Sequence, residues 1–224
     1  MEVRANPISP RGDNQVTGFH TFVLFLAAAL VVAITPGPGI FYIVARTLAG
    51  GRKEGLASSV GLSLGGLVHV FGGAIGLSAL IMASSEAFTL LKLVGALYLI
   101  WLGLKTWREA RAVDPAEVPT TGARRAFRDG IVVEALNPKT AAFFLAFIPQ
   151  FIDPSANVAA QFILLGLVSV ALNTSADLVV TYWAAKARAG LAARPSLITR
   201  MRQASGAVMC GLGTTLLFAR RASP

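Results

Sequence analysis

Charged side chains and thiols are scarce in this 224-residue sequence. Only 14% of the residues are charged, whereas a soluble domain usually carries about 25%. Hydrophobic residues make up 54% of the chain, and the mean hydropathy is +0.65. The shortage of charge excludes an ordinary soluble domain and indicates an integral membrane protein. The one cysteine, Cys210, excludes a disulfide within the chain.

Groups able to perform chemistry are also few. The two histidines, His20 and His69, fall in different hydrophobic segments, and no metal-ligand spacing occurs. A membrane-embedded enzyme would need clustered His, Cys or carboxylate side chains. The sequence therefore argues against an enzyme and predicts neither a metal site nor a cofactor. It also lacks a Gly-x-x-x-x-Gly-Lys-Ser/Thr loop, which argues against direct use of ATP by this chain.

Six hydrophobic segments are each long enough to cross a bilayer as a helix, which takes about 20 residues. They are Phe19–Ala45, Leu56–Ala83, Phe88–Trp107, Phe127–Ile152, Val158–Ala185 and Ile198–Phe218. The sequence therefore predicts an all-α integral membrane protein with six transmembrane helices. We expect a polar tail over 1–18, a single transmembrane domain over 19–218 and a short tail over 219–224.

The net charge of +9 comes from basic residues concentrated between the hydrophobic segments. Lys and Arg are enriched in cytoplasmic loops. Three basic loops hold Arg46, Arg52 and Lys53, then Lys105, Arg108, Arg111, Arg124, Arg125 and Arg128, and then Lys186, Arg188, Arg194, Arg200 and Arg202. This pattern predicts that both termini lie outside. Membrane topology thus explains the basic charge without nucleic acid.

The predicted cytoplasmic loop 111–123 divides the domain into halves, 19–110 and 124–218, of three spans each. An odd number of spans makes the second half enter from the opposite side, as in an inverted-topology repeat. Residues 32–36 align with 134–138, and a proline occupies the last position of both segments. Proline interrupts a helix because it lacks an N–H donor and collides with the preceding turn. We therefore predict broken helices in spans one and four.

Interruptions at corresponding positions of two halves indicate a transport site. The residues at the two breaks are Thr35, Pro36, Gly37, Pro38 and Gly39 in span one and Asn137, Pro138 and Lys139 in span four. Backbone amides freed at a helix start can bind a carboxylate, and freed carbonyls or an acidic side chain can bind an ammonium group. The alternative is that each proline makes only a packing kink.

Ionisable residues inside the spans are further candidates, because charge at membrane depth usually faces a cavity or a partner. Asp177 in span five could bind a substrate ammonium or a coupling proton, or serve as a structural hydrogen-bonding residue. For Glu134 the alternative is a position near the membrane interface, and for Lys139 it is a side chain that reaches out to water. For His69 it is a packing or polar-pair role.

Span two contains two small-xxx-small patterns, Gly61 with Gly65 and Gly72 with Gly76. Such patterns allow membrane helices to approach closely. We therefore expect both glycine pairs to serve helix packing and not chemistry.

Several motifs in a fixed order resemble the lysine-exporter (LysE-like) family, and within it the homoserine/threonine-resistance type. They are Thr35-Pro-Gly-Pro38, Gly61-Leu-Ser-Leu-Gly65 with His69 and Gly76-Leu77, the stretch 91–103, Asn137-Pro-Lys139, Pro149-Gln-Phe-Ile152, and Asp177 with Tyr182. The resemblance covers residues from about Phe19 to Phe218. It implies a six-span secondary transporter that exports amino acids or their derivatives across the bacterial cytoplasmic (inner) membrane by proton antiport. It also adds Tyr182 to the candidate substrate site.

Glu134 departs from this resemblance, because related chains often have a neutral residue there. The carboxylate indicates a shifted substrate preference or an altered coupling route. The predicted partners are the lipid bilayer, an amino-acid-like substrate, protons and, as one possible assembly, further copies of the chain in a homo-oligomer. The alternatives are a passive channel, an exporter of another small metabolite and a membrane partner that transports nothing.

Overall fold

The described part of the chain consists of helices joined by short non-helical segments. A computed structural model describes residues 11–83, 85–110, 119–187 and 195–218, and no strand occurs among them. The α-helices are α1 (Arg11–Ile34), α2 (Pro38–Ala83), α3 (Ser85–Arg108), α4 (Ala123–Ala135), α5 (Pro138–Ala142), α6 (Val158–Lys186) and α7 (Pro195–Phe218). A π-helical turn, Phe143–Phe147, and a 3-10 turn, Ile148–Phe151, follow α5. The predicted all-α class is confirmed for these residues.

Helix α1 starts earlier than the hydrophobic segment that predicted it. It begins at Arg11, so the second part of the predicted polar tail is helical. No proline follows Pro10 before the hydrophobic segment, and nothing therefore stops the helix from extending backwards into the polar residues. Residues 1–10, most of the predicted loop (111–118) and the tail 219–224 lie outside the described residues.

The predicted break in span one is present. Helix α1 ends at Ile34 and α2 begins at Pro38. Pro38 suits a first helical position because the amide that it lacks would have no partner within the helix there. A second interruption lies at Gly51, within the loop that the sequence predicted between spans one and two; its φ of 71° is a left-handed conformation that glycine adopts readily. Gly51 divides α2 into a short arm (38–50) and a long arm (52–83).

The predicted break in span four is present as well. Helix α4 ends at Ala135, and α5 begins at Pro138. The side-chain oxygen of Asn137 accepts a hydrogen bond from the Lys139 amide at 3.1 Å, which caps the start of α5. Each break thus has a proline at the first position of the helix that follows it.

Three segments of the described chain are long and apolar enough to cross a membrane: Pro38–Gly76, Ala123–Phe151 and Val158–Lys186. A shorter apolar helix spans Gly18–Ile34. Large hydrophobic side chains on the outer surface are exposed, with Ile75 and Leu136 at 76%. Such exposure suits contact with lipid. The total of six spans and the inverted repeat remain predictions.

One of the two predicted glycine contacts is confirmed. Helix α2 packs against α4 and α6, α3 pairs with α7, and α1 contacts α6. A side chain at Gly61 would overlap the carbonyl oxygen of Phe127, and a Cβ at Gly65 would lie 2.5 Å from that of Ile131. Close approach of α2 and α4 therefore requires glycine at both positions.

The second glycine prediction is wrong. Among the described residues, no atom beyond the helix's own backbone lies within 4 Å of a Cβ built on Gly72 or Gly76. These glycines continue the stripe of Gly61 and Gly65 along α2, but α4 ends at Ala135 and does not extend alongside them. Helix α2 meets α6 through other glycines, since Gly73 faces the Phe162 ring.

A buried polar cluster joins α2 to the chain segment before α4. Glu54, in the long arm, accepts hydrogen bonds from the amides of Thr121 and Gly122 at 3.0 and 2.7 Å. Arg46 lies 3.7 Å from the other carboxylate oxygen of Glu54 and donates a hydrogen bond to the Thr121 hydroxyl. The residues around Arg46, which the sequence placed in a cytoplasmic loop, thus belong to helix α2. This cluster holds the chain segment that leads into α4.

Candidate functional site

A cavity lies where α2, α4, α5 and α6 meet, next to both breaks. Its described lining residues are Gly39, Ile40, Leu62, Ser63, Gly66, Glu134, Asn137, Lys139, Thr140, Phe144, Val170, Asn173, Thr174 and Asp177. Three of them are ionisable and buried. The free space suits about two water molecules, so an amino acid could enter only after the helices move apart.

Glu134 is held by residues of its own break. One carboxylate oxygen accepts a hydrogen bond from the Asn137 side-chain amide at 2.8 Å, and the other accepts one from the Thr140 hydroxyl at 2.6 Å. Glu134 is buried within the protein. The main-chain carbonyl of Glu134 lies 2.8 Å from the Nε2 of His69, and this contact gives the histidine a polar partner on α4.

Lys139 extends from the second break to the first. Its Nζ donates hydrogen bonds to the carbonyl oxygens of Val32 and Thr35 at 3.1 and 3.0 Å. These carbonyls end α1, where a helix leaves acceptors unpaired and favours a positive charge. The residue is only 6% exposed, so its side chain does not reach out to water.

Gly37 and Gly39 allow the two breaks to meet. A Cβ on Gly37 would lie 3.1 to 3.2 Å from three side-chain atoms of Lys139, and one on Gly39 would lie 3.0 Å from a carboxylate oxygen of Glu134. Between the glycines, Pro38 starts α2. The carbonyl of Pro36 accepts a hydrogen bond from Ser205 on α7.

Asp177 faces the cavity from α6. The residue is 8% exposed, and the charges of Glu134 and Lys139 both act on its carboxylate. Asn173 and Thr174, one turn earlier, donate hydrogen bonds to carbonyls of their own helix. No described residue donates a hydrogen bond to Asp177. It is therefore the cavity carboxylate with capacity for a new cationic partner, and a structural hydrogen-bonding role is not observed.

Tyr182 lies elsewhere. It is 43% exposed, and its ring contacts Trp183 at 5.5 Å between centroids and the Nζ of Lys186 at 4.9 Å. Five residues along an α-helix turn the side chain roughly 140° away from that of Asp177. The structure does not bring Tyr182 to the cavity, and its role in the site stays a prediction from the family resemblance.

The sequence did not identify Thr140 or Ser63 as site residues. Thr140 hydrogen-bonds to Glu134 over six positions, whereas side chains on a regular helix pair three or four positions apart. The break after Ala135 shortens the distance, and the only sequence signal was the proline itself. Ser63 reaches the cavity through the packing of α2, for which a single sequence contains no signal.

The whole pattern of breaks and buried charges agrees with a family match. Residues 30–220 match the family described as LysE type translocator. The chain belongs to that family. This LysE type translocator is 32% identical to a homoserine/homoserine lactone efflux protein of Salmonella typhimurium, over 91% of this chain and 99% of the relative. The predicted family resemblance is thereby confirmed.

Two other relatives of the LysE type translocator broaden the comparison. An uncharacterized membrane protein of Vibrio cholerae is 32% identical over 90% of this chain and 98% of its own. A leucine efflux protein of Klebsiella pneumoniae is 29% identical over 62% and 66%, respectively. No solved structure matches the chain. The chain is thus a membrane protein of a transporter family.

Proposed function

We propose that the protein is a secondary transporter that exports amino acids or their derivatives across the bacterial cytoplasmic membrane in exchange for protons. The observation that carries this proposal is the cavity between two broken helices that is lined by Glu134, Lys139 and Asp177 together. Ionisable groups buried in a membrane domain usually mark a substrate or proton route. The relatives named for homoserine, homoserine lactone and leucine efflux support an amino-acid-like cargo.

Asp177 is the proposed binding group for the substrate ammonium. It is buried, it lines the cavity, and it has no hydrogen-bond donor among the described residues. Glu134 and Lys139 are already engaged with the breaks. The two breaks would therefore form a fixed edge of the binding site. The Asp177 carboxylate would be free to accept hydrogen bonds from the substrate ammonium.

Proton coupling follows from the same carboxylate. If Asp177 binds a proton when the substrate leaves, the empty transporter can change back to its starting conformation without an uncompensated charge in the cavity. Such a charge is costly at membrane depth. A passive channel has no need for such an exchange. A proton-coupled transporter and a passive channel therefore differ in whether a pH gradient can drive the substrate against the concentration gradient of the substrate.

The arrangement of helices supports six spans in two inverted repeats. The halves of such a repeat are related by a pseudo-twofold axis in the membrane plane, and corresponding spans can meet at that axis. The contacts of α2 with α6 and of α3 with α7 follow this pattern. Gly37 and Lys139, which correspond in the aligned breaks, also meet in space. The breaks would then act as hinges that open the cavity to either side.

Sealed vesicles containing the full chain test the proposal. We expect saturable accumulation of at least one amino acid or its derivative when a pH gradient is imposed, and loss of accumulation when the gradient is collapsed. Asp177→Asn should reduce accumulation at least ten-fold. Asp129→Asn is the matched control, because Asp129 pairs with Arg125 on the protein surface. Flux that is not saturable and never exceeds equilibrium would instead establish a passive channel.

A further inference from the structure

The charges of the cavity do not balance. Its described lining contains two carboxylates, on Glu134 and Asp177, and one cation, on Lys139. With all three ionised, the cavity has a net charge of −1. The donors to Glu134 are the neutral side chains of Asn137 and Thr140. They can orient the carboxylate, but they cannot cancel its charge.

Lys139 is also poorly placed to receive the carboxylate of an amino acid. Its Nζ donates to the carbonyls of Val32 and Thr35, so its charge is directed to the end of α1. The other polar groups of the lining that face this space from α2 and α6 are uncharged apart from Asp177. A bound zwitterion is neutral overall and would leave the net charge of −1 unchanged.

We infer that the cavity selects a primary amine of net charge +1 whose carboxylate is absent or masked as an amide, ester or lactone, and exchanges it one for one with a proton. This inference rests on the proposed function and specifies its substrate class. The amine neutralises the excess negative charge, and a proton on the carboxylate pair of Glu134 and Asp177 neutralises it equally well. The amine and the proton therefore compete for the same place beside the two carboxylates.

The titratable groups around this place are few. Helix α4 presents Glu134, α5 presents Lys139 and α6 presents Asp177. Helix α2 lines the cavity with neutral residues and directs His69 to the main-chain carbonyl of Glu134. Helix α1 contributes neutral carbonyls. Removing the Glu134 charge should therefore remove the preference for a cation, since Asp177 and Lys139 then balance.

Calorimetric titration of the purified full chain tests the inference with three probes, which are leucinamide, leucine and lysine. We expect leucinamide to bind at least ten-fold more tightly than either amino acid. Its affinity should fall as the pH is lowered, because protons compete. Titrations in buffers of different ionisation enthalpy should show release of up to one proton per leucinamide bound, with the fraction rising as the pH is lowered.

Glu134→Gln should reduce the preference for leucinamide over leucine at least ten-fold, while Asp129→Asn keeps it. Tighter binding of leucine or lysine to the unmodified chain would overturn the inference and leave the proposed function standing. If Glu134→Gln does not fold, the order of affinities for leucinamide, leucine and lysine in the unmodified chain still tests the inference. If none of the probes binds and sealed vesicles accumulate no amino compound, the proposed function itself fails.

Discussion

The ammonium nitrogen of Lys139 lies 3.0 Å from the carbonyl oxygen of Thr35, although the two residues are 104 positions apart. This hydrogen bond connects the broken helix of one half to the broken helix of the other. It satisfies a carbonyl that α1 leaves unpaired, and it places a positive charge at the negative end of the helix dipole. The cavity geometry therefore depends on a contact between breaks that are distant in sequence.

Replacing Lys139 tests this contact. Lys139→Met keeps most of the length of the side chain but leaves the carbonyl of Thr35 without the Lys139 donor, while the carbonyl of Val32 keeps the Thr35 amide at 3.3 Å. An unsatisfied buried polar group costs about 1–3 kcal/mol, so we expect a clearly lower Tm for the purified protein. Lys53→Met, at an exposed position of α2, is the control and should leave the Tm unchanged. Equal Tm values for both variants would contradict the connecting role of Lys139.

A methyl group at Gly39 should disrupt the site. Its Cβ would lie 3.0 Å from a carboxylate oxygen of Glu134 and 2.9 Å from a methyl carbon of Leu62, so these two side chains have to shift. We expect Gly39→Ala to reduce substrate accumulation in vesicles at least ten-fold. Gly72→Ala provides the comparison, because no described atom beyond the helix's own backbone lies within 4 Å of its Cβ. Loss of accumulation in both variants would point to a general effect of alanine and not to the site.

Gly61 should be needed for stability more than for binding. Any side chain there would press against the backbone of α4 at Phe127, and backbone cannot move aside as a flexible side chain can. Gly61→Ala should lower the Tm, because overpacking a site typically lowers the free energy of unfolding by about 1–3 kcal/mol. Gly76→Ala should not, since its surroundings are open. An unchanged Tm for Gly61→Ala would contradict the close packing of α2 and α4.

The Glu54 carboxylate should control the entry to α4. Glu54→Ala removes the acceptor of two amides, at Thr121 and Gly122, and leaves Arg46 without its buried partner. Breaking a buried ion pair from one side costs about 3–5 kcal/mol. Hydrogen exchange at both amides should therefore accelerate strongly. Asp129→Asn breaks an exposed pair, which is worth about 0–1 kcal/mol, and should leave these exchange rates unaltered.

The predicted topology can be tested with single cysteines. Because Cys210 is the one native thiol, Cys210→Ala provides a background without cysteine. In intact cells, a membrane-impermeant maleimide should label Ser9→Cys, and it should label Ala116→Cys only after permeabilisation. Lys and Arg in the middle loop are the basis of this expectation. The reverse labelling pattern would invert the orientation of all spans.

The breaks could be predicted from the sequence because their cause is local. Pro36, Pro38 and Pro138 each remove a backbone donor wherever the chain places them, and the structure interrupts the helices there. The candidate residues Glu134, Lys139 and Asp177 were found because ionisable groups stand out in apolar segments. Their gathering into one cavity depends on how α2, α4, α5 and α6 pack, and the sequence did not predict it.

The partners of those residues could not be predicted. The direction of Lys139 towards Val32 depends on how the halves pack, and the pairing of Arg46 with Glu54 depends on a turn at Gly51. Glycine occurs 22 times in the chain, so one glycine in a left-handed conformation gives no local signal. Gly61 and Gly72 likewise begin the same small-xxx-small pattern in the sequence. They differ only in the structure, because α4 ends before it extends alongside Gly72.

The π-helical turn Phe143–Phe147 has an evolutionary consequence. A π-helical turn is equivalent to one residue inserted into an α-helix, and one residue corresponds to about 100° of rotation. The turn contains both Phe144, which lines the cavity, and Ala146, which packs with Ala96 of α3. Deleting one residue here would rotate one of these faces out of register with its neighbours. Homologous chains should therefore tolerate substitutions in this stretch more readily than changes of length.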